Sequence, residues 1–133
     1  GLQEEHQIAQ QKYPVNYRQF FAIGKSLKKN TPEGTIICSR KPQMLYMYAE
    51  RPGVNYLYTD DARALIADLV RKNVDLVLVD ALGYSSTYRY LIPAIQQYPQ
   101  FFPRALAYYE NTGTYLFTFD KARAIKELSL EEN

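Results

Sequence analysis

Apolar residues recur along this chain at two spacings, and the alternation between them sets out the elements. Residues 1–12 are polar and Gln-rich and read as a frayed lead-in. Asn16 is placed to cap a helix running to about Lys29, with Tyr17, Phe20, Phe21, Gly24 and Leu27 on one face. A turn over 30–34 leads to a short β-branched strand at 35–39. Pro42 then opens a short helix through Met44, Leu45 and Met47, stopped by Pro52-Gly53, and 54–58 reads as a second strand. Thr59 or Asp60 caps the clearest helix, in which Ala62, Leu65, Ile66, Leu69 and Val70 keep the i, i+3, i+4 spacing until Asn73. The run 74–79, interrupted only by Asp75, is the strongest strand and has the composition of one buried on both faces. After a loop at 82–86 the pattern is helical again over 87–98, with Tyr88, Leu91, Ile92 and Ile95 aligned and Pro93 set to kink the helix or reset its first turn. Two strands, 105–110 and 115–119, flank Asn111-Thr112-Gly113 as a hairpin, and Asp120 caps a last helix through Ala122, Ile125 and Leu128.

Strands alternating with helices imply parallel pairing with right-handed crossovers, and the final hairpin must add an antiparallel strand. The expected architecture is a single α/β domain over 13–133. It is a three-layer sandwich, with a mostly parallel five-stranded sheet, a C-terminal antiparallel hairpin and helices on both faces.

Composition narrows the chemistry. The 133 residues suffice for one core without a metal or disulfide staple, and 47% hydrophobic with 23% charged residues is ordinary for a globular domain. A net charge of +2 gives no electrostatic reason to expect nucleic acid as a partner. With one Cys (Cys38) and one His (His6), neither an internal disulfide nor a Cys/His zinc site is available, and no metal or cofactor is expected. The 13 Tyr are unusual and suit half-buried surfaces and interfaces, where a ring packs and its hydroxyl stays wet. No apolar run reaches the roughly 20 residues that span a bilayer.

Ligands of open parallel sheets gather beyond the carboxyl ends of the strands. Here those ends carry Ser39-Arg40-Lys41, Tyr58-Thr59-Asp60-Asp61 and Asp80, although Asp60 also suits a plain helix cap. Asp60, Asp61 and Asp80 bring phosphoryl-accepting receiver domains to mind, but Arg40-Lys41 stands where such a domain needs clustered carboxylates for magnesium. Gly24-Lys25-Ser26 has a Walker ending without the earlier glycine, and sits inside a helix. Gly83-Tyr84-Ser85-Ser86-Thr87 begins like a nucleophile elbow but has Thr87 in place of its second glycine. Cys38, in mid-strand, reads as a buried structural thiol. No catalytic residue is assigned.

The stretch from Ser39 to Pro52 combines three cations, two Tyr and two Met. It reads either as a surface for an anionic or glycan-bearing group, or as an amphipathic helix with Met44, Leu45 and Met47 in the core. The candidate binding residues are Arg40, Lys41, Tyr46, Arg51, Asp60, Asp80 and Tyr84, with Arg40, Lys41, Tyr46, Arg51 and Tyr84 lining the carboxyl-end face.

That stretch also opens a resemblance. An aromatic helix from Tyr17 ends in Lys28-Lys29-Asn30-Thr31-Pro32 before a strand. Then follow Ser39-Arg40-Lys41-Pro42, a Tyr-rich helix, Asp60-Asp61, the strand Val74-Asp75-Leu76-Val77-Leu78-Val79-Asp80, Tyr90-Leu91-Ile92-Pro93 and Tyr115-Leu116-Phe117-Thr118-Phe119. In this order, over most of 13–119, the chain resembles the C-terminal soluble tail of polytopic membrane glycosyltransferases, a group including dolichyl-phosphate-mannose protein mannosyltransferases and lipid A aminoarabinose transferases. The resemblance implies a non-catalytic accessory domain on the extracytoplasmic, periplasmic side of the cytoplasmic membrane, a piece of a longer chain. It would follow the transmembrane part of a parent that uses a polyprenyl-phosphate-linked sugar donor, with lipid headgroups or a glycan acceptor as further partners. The family's catalytic acids lie in the membrane part, and no position here corresponds to them. The alternative is an independent small-molecule or phosphate-binding α/β module; a free-standing enzyme is the third reading.

Overall fold

The computed structural model describes residues 13–131, so the expected lead-in 1–12 and His6 lie outside the described residues. Helix α1 (Val15–Asn30) buries Phe20, Phe21, Ile23 and Leu27. Pro14, not Asn16, precedes its first turn, and the Asn16 side chain instead donates to the Ala81 carbonyl at 2.7 Å. Strand β1 (Ile37–Cys38), helix α2 (Pro42–Ala49) and strand β2 (Gly53–Val54) follow. Gly24 lets α1 approach α2: a Cβ there would lie 2.7 Å from Tyr48 Cβ. This glycine serves packing, as its helical setting predicts.

Helix α3 (Ala62–Arg71) is capped by Asp61, whose Oδ1 accepts from the Ala64 amide at 3.1 Å. The expected caps, Thr59 and Asp60, are therefore displaced by one or two positions. Strand β3 (Leu76–Val79) is wholly buried. A π-helical turn, Thr87–Leu91, then runs into α4 (Ile92–Gln97). Pro93 has no amide hydrogen for the carbonyl a helical turn back, and the Ile92 amide bonds instead to Thr87 O, the i to i−5 pattern of a π turn. After a single 3-10 turn at Pro99–Phe101 come strands β4 (Ala105–Tyr109) and β5 (Thr114–Thr118), then α5 (Lys121–Leu128), capped by Asp120 as expected.

The sheet has the order β2-β1-β3-β5-β4. β1 pairs in parallel with β2 and β3, whereas β5 pairs antiparallel with β3 and β4. The sheet is thus mixed, with equal numbers of parallel and antiparallel pairings, and not mostly parallel. The cause is the hairpin, which enters beside the central strand: β5 takes the edge of β3 that another parallel strand would have used.

Side chains of β3 alternate between two cores. Leu76 and Leu78 join Phe20, Ile23 and Leu27 of α1, Leu45 of α2 and Leu116 of β5. Val77 and Val79 face Leu65, Ile66 and Leu69 of α3, Leu91 of the π turn, Ala94 of α4, Ala124 of α5 and Phe101, Phe102 and Phe119. Helices cover both faces. Asp75, the polar break in the strand pattern, ties neighbours together: its carboxylate accepts from the Ile36 amide at 2.9 Å and pairs with Lys121 at 2.9 Å. Among the described residues no helix is long and apolar enough to cross a membrane.

Candidate functional site at the carboxyl ends of the strands

The chain leaves β1 through Ser39, which is buried and whose hydroxyl accepts from the Lys41 amide at 3.1 Å. This Ser turn aims Arg40 across the sheet end. Its Nε donates to Ser86 Oγ at 3.1 Å, and its guanidinium carbon lies 4.5 Å from the Tyr84 ring centre and 5.5 Å from that of Tyr58. Lys41 Nζ lies 5.8 Å from the Tyr84 ring. Tyr84 and Tyr58 thus hold the cations by their electron-rich faces, which leaves the remaining N–H groups of Arg40 for another acceptor.

Beneath this layer the Tyr56 hydroxyl meets Ser86 Oγ at 2.9 Å and Thr87 Oγ1 at 3.1 Å. Burial pushes the Tyr56 phenol up from its ordinary value, against the two hydroxyl hydrogen bonds. The π turn supplies Thr87, so the irregular helix start and the site are one construction. Asp80, at the end of β3, is 2% exposed. Its Oδ1 accepts from the Leu82 amide at 3.0 Å, while its buried Oδ2 has no hydrogen-bond partner among the described residues. Burial raises the Asp80 carboxyl above its ordinary value, outweighing the Leu82 amide and the nearby Arg40 charge.

Arg40 and Lys41 also line an open recess of about 460 Å³ with Pro42, Gln43, Met44, Met47 and Asn55. Met47 is 74% exposed, so it is a wall of this recess and not the core residue its helical position suggested. Leu45 alone of that trio is buried.

Of the residues chosen from sequence, Arg40, Lys41, Asp80 and Tyr84 come together. Arg51 does not. It is buried at the opposite, amino ends of β1 and β2, where its guanidinium donates to the carbonyls of Lys28 (2.9 Å), Thr31 (2.7 Å) and Glu50 (3.1 Å) and to Thr31 Oγ1 (3.1 Å). Arg51 therefore fastens the last turns of α1 and α2 and does not line the carboxyl-end face. Asp60 is exposed and faces Arg89 at 3.9 Å, outside the Arg40 cluster. Tyr46 is exposed on α2 and does not line the recess. Cys38 is fully buried, and burial pushes its thiol up to about 12, which keeps it protonated and structural.

The sequence places Tyr58 among the strand ends and Ser86 in the loop after β3, but neither is among the candidate binding residues, and Tyr56 is not singled out at all. The signal is present in Asn55-Tyr56-Leu57-Tyr58, which reads as the end of a strand. The chain leaves the sheet after Val54, with Tyr56 buried and Tyr58 exposed. Among the described residues no group of three or more His, Cys, Asp or Glu side chains is placed to hold a metal. No protein-family model, curated protein or solved structure matches this chain.

Proposed function

We propose that the chain is a non-catalytic extracytoplasmic accessory domain of a membrane-embedded glycosyltransferase using a polyprenyl-phosphate-linked sugar donor, and that its carboxyl-end face meets the phosphate. The observation that carries this reading is Arg40. Its side chain rests on Tyr84 and Tyr58 and spends one donor on Ser86, so its outer fork suits a bidentate phosphate, with Lys41 adding charge beside it. The rim supports the same reading. Met47, Leu57 and Tyr58 are exposed on α2 and the segment after β2, and such side chains suit the boundary between water and lipid headgroups. The ordered motifs from Tyr17 to Phe119 supply the family context.

A second reading, an independent phosphate-binding module, uses the same face and differs only in what is attached. The gene's upstream sequence separates the two: several transmembrane segments before Tyr13 support the accessory domain, and their absence leaves the module. The face itself is tested by Arg40→Glu with Lys41→Glu in the full-length protein. A charge-assisted phosphate contact contributes about 1.5–3 kcal/mol, so sugar transfer is expected to fall roughly tenfold or more at unchanged expression. Unchanged transfer refutes the role of this face.

A further inference from the structure

Between α4 and β5 lies a second cleft, of about 300 Å³, on the sheet face that carries α3, α4 and α5. Two features of the fold leave it open. α4 is six residues long and does not reach over β4, where Tyr108 stays 60% exposed. Gly113 borders the cleft from the hairpin turn without a side chain, and a Cβ there would meet no atom within 4 Å. The two walls differ in chemistry. Ile92 and Ile95 stand on the α4 side, and Tyr115 and Phe117 on the β5 side. The rings of Tyr115 and Phe117 are parallel to within 7°, with centroids 5.6 Å apart. Tyr88 and Gln96 are exposed at the mouth, and neither side chain hydrogen-bonds to a described residue. No residue lining the cleft is charged.

We propose that this cleft is a binding site for a neutral aromatic molecule of one or two rings that carries a single hydrogen-bonding group. Size, charge and wall chemistry each select it. An apolar cavity of roughly 150 Å³ holds one benzene ring, so a space of about 300 Å³ takes a fused bicycle or a substituted ring. An uncharged lining gives an ion nothing in exchange for its hydration, so charged ligands are rejected. A flat ring gains more from Tyr115 and Phe117 than a saturated body of equal size, because aromatic pairs attract beyond their buried area. At the mouth the Tyr88 hydroxyl and the Gln96 amide are there to meet the ligand's polar group. The π turn joins this cleft to the carboxyl-end face, since it gives Thr87 to Tyr56 and Tyr88 to the cleft. Such turns recur at functional sites. The two ligand chemistries are opposite, anionic at Arg40 and neutral here, so this proposal does not rest on the glycosyltransferase reading.

The test is a titration of the full chain with indole and with p-cresol, followed by backbone amide chemical shifts. Saturable shifts centred on the π turn, α4 and the start of β5 are expected, with dissociation constants on the order of 0.1–1 mM. Benzoate, which adds a charge to a ring of the same size, should leave these shifts unmoved. 4-Methylcyclohexanol, the saturated match of p-cresol, should bind roughly two- to tenfold more weakly than p-cresol. Ile95→Trp places a ring of the chain's own in the cleft and should abolish indole binding. Tyr115→Leu keeps the wall apolar but removes one ring, and should weaken indole binding roughly two- to tenfold. Circular dichroism and melting confirm that each variant is folded, and Tyr115→Leu carries the test if Ile95→Trp does not fold. The absence of saturable shifts at these residues overturns the proposal. So does benzoate binding as well as p-cresol, or 4-methylcyclohexanol binding as tightly. A folded Ile95→Trp or Tyr115→Leu that binds indole as the native chain does overturns it too.

Discussion

Arg40 and Arg51 flank the same short helix, α2, and from sequence both belong to one cationic surface. The fold sends them to opposite ends of the sheet. Arg51 turns toward the amino ends and makes five hydrogen bonds, four of them to backbone carbonyls at the ends of α1 and α2. Arg40 turns toward the carboxyl ends, and among the described residues its side chain makes one hydrogen bond, to Ser86, with two aromatic rings against its guanidinium. The difference is one of supply. Helix C-termini expose carbonyls that need donors, so a guanidinium placed among them is consumed by structure. Strand carboxyl ends followed by Tyr and Ser loops provide stacking surfaces and few acceptors, so a guanidinium there keeps donors for a ligand.

The strongest way to break this contrast is Arg51→Ala. The side chain is 8% exposed, and its removal leaves the Lys28, Thr31 and Glu50 carbonyls without this donor. A loss of about 2–4 kcal/mol in unfolding free energy is expected from urea denaturation. Arg51→Lys should recover little, because an ammonium cannot span the carbonyls that the fork reaches. A loss below about 1 kcal/mol would show that α1 and α2 hold their ends without it.

Arg40→Ala is the milder counterpart. Half-buried, with one hydrogen bond and two ring contacts, the side chain should contribute about 1 kcal/mol or less to stability. Its effect belongs to binding: chemical-shift titration with inorganic phosphate should show affinity falling roughly tenfold from the intact chain, with Arg40→Lys in between. If Arg40→Ala proves as destabilising as Arg51→Ala, the two arginines are both structural and the site is lost.

The contrast also marks what the sequence reveals. Helical spacing locates α1, α3 and α5 because their apolar stripes face a sheet, and burial enforces the stripe. The unbroken apolar run Leu76, Val77, Leu78 and Val79 declares a strand buried on both faces for the same reason. Arg40, Asp80 and Tyr84 were legible because topology alone sends strand ends to one rim. Arg51 was not, since nothing in Glu50-Arg51-Pro52 records that the carbonyls of Lys28 and Thr31 wait nearby. Met47 misled in a similar way: helical spacing gives relative direction around α2, not which side finds α1. β1 and β2 shrank from five expected residues each to two, because the chain leaves the sheet at Val54, with Tyr56 going on to reach Ser86 and Thr87.

The finest probe of the Arg40 end is Asp80. Burial raises its carboxyl above the ordinary 3.8, the Leu82 amide and Arg40 pulling the other way. An acid whose pKa is raised by folding is easier to protonate when folded. The stability it contributes is therefore fully present below pH 3.8, and it is lost as pH rises through the folded value. Asp80→Asn keeps an oxygen for the Leu82 amide and removes the charge, so its stability relative to the native chain should be most favourable at pH 7 and decline on acidification. Melting temperatures of both proteins at matched pH give that difference directly, with other carboxylates cancelling. Arg40→Ala takes away one of the influences favouring the charged form, so in that background the advantage of Asp80→Asn at pH 7 should widen. Arg51→Ala, at the far end of the sheet, should leave it unchanged. A difference that is flat with pH would mean that Asp80 is better solvated than its burial implies. Equal responses to Arg40→Ala and Arg51→Ala would mean that the two ends of the sheet are not electrostatically separate.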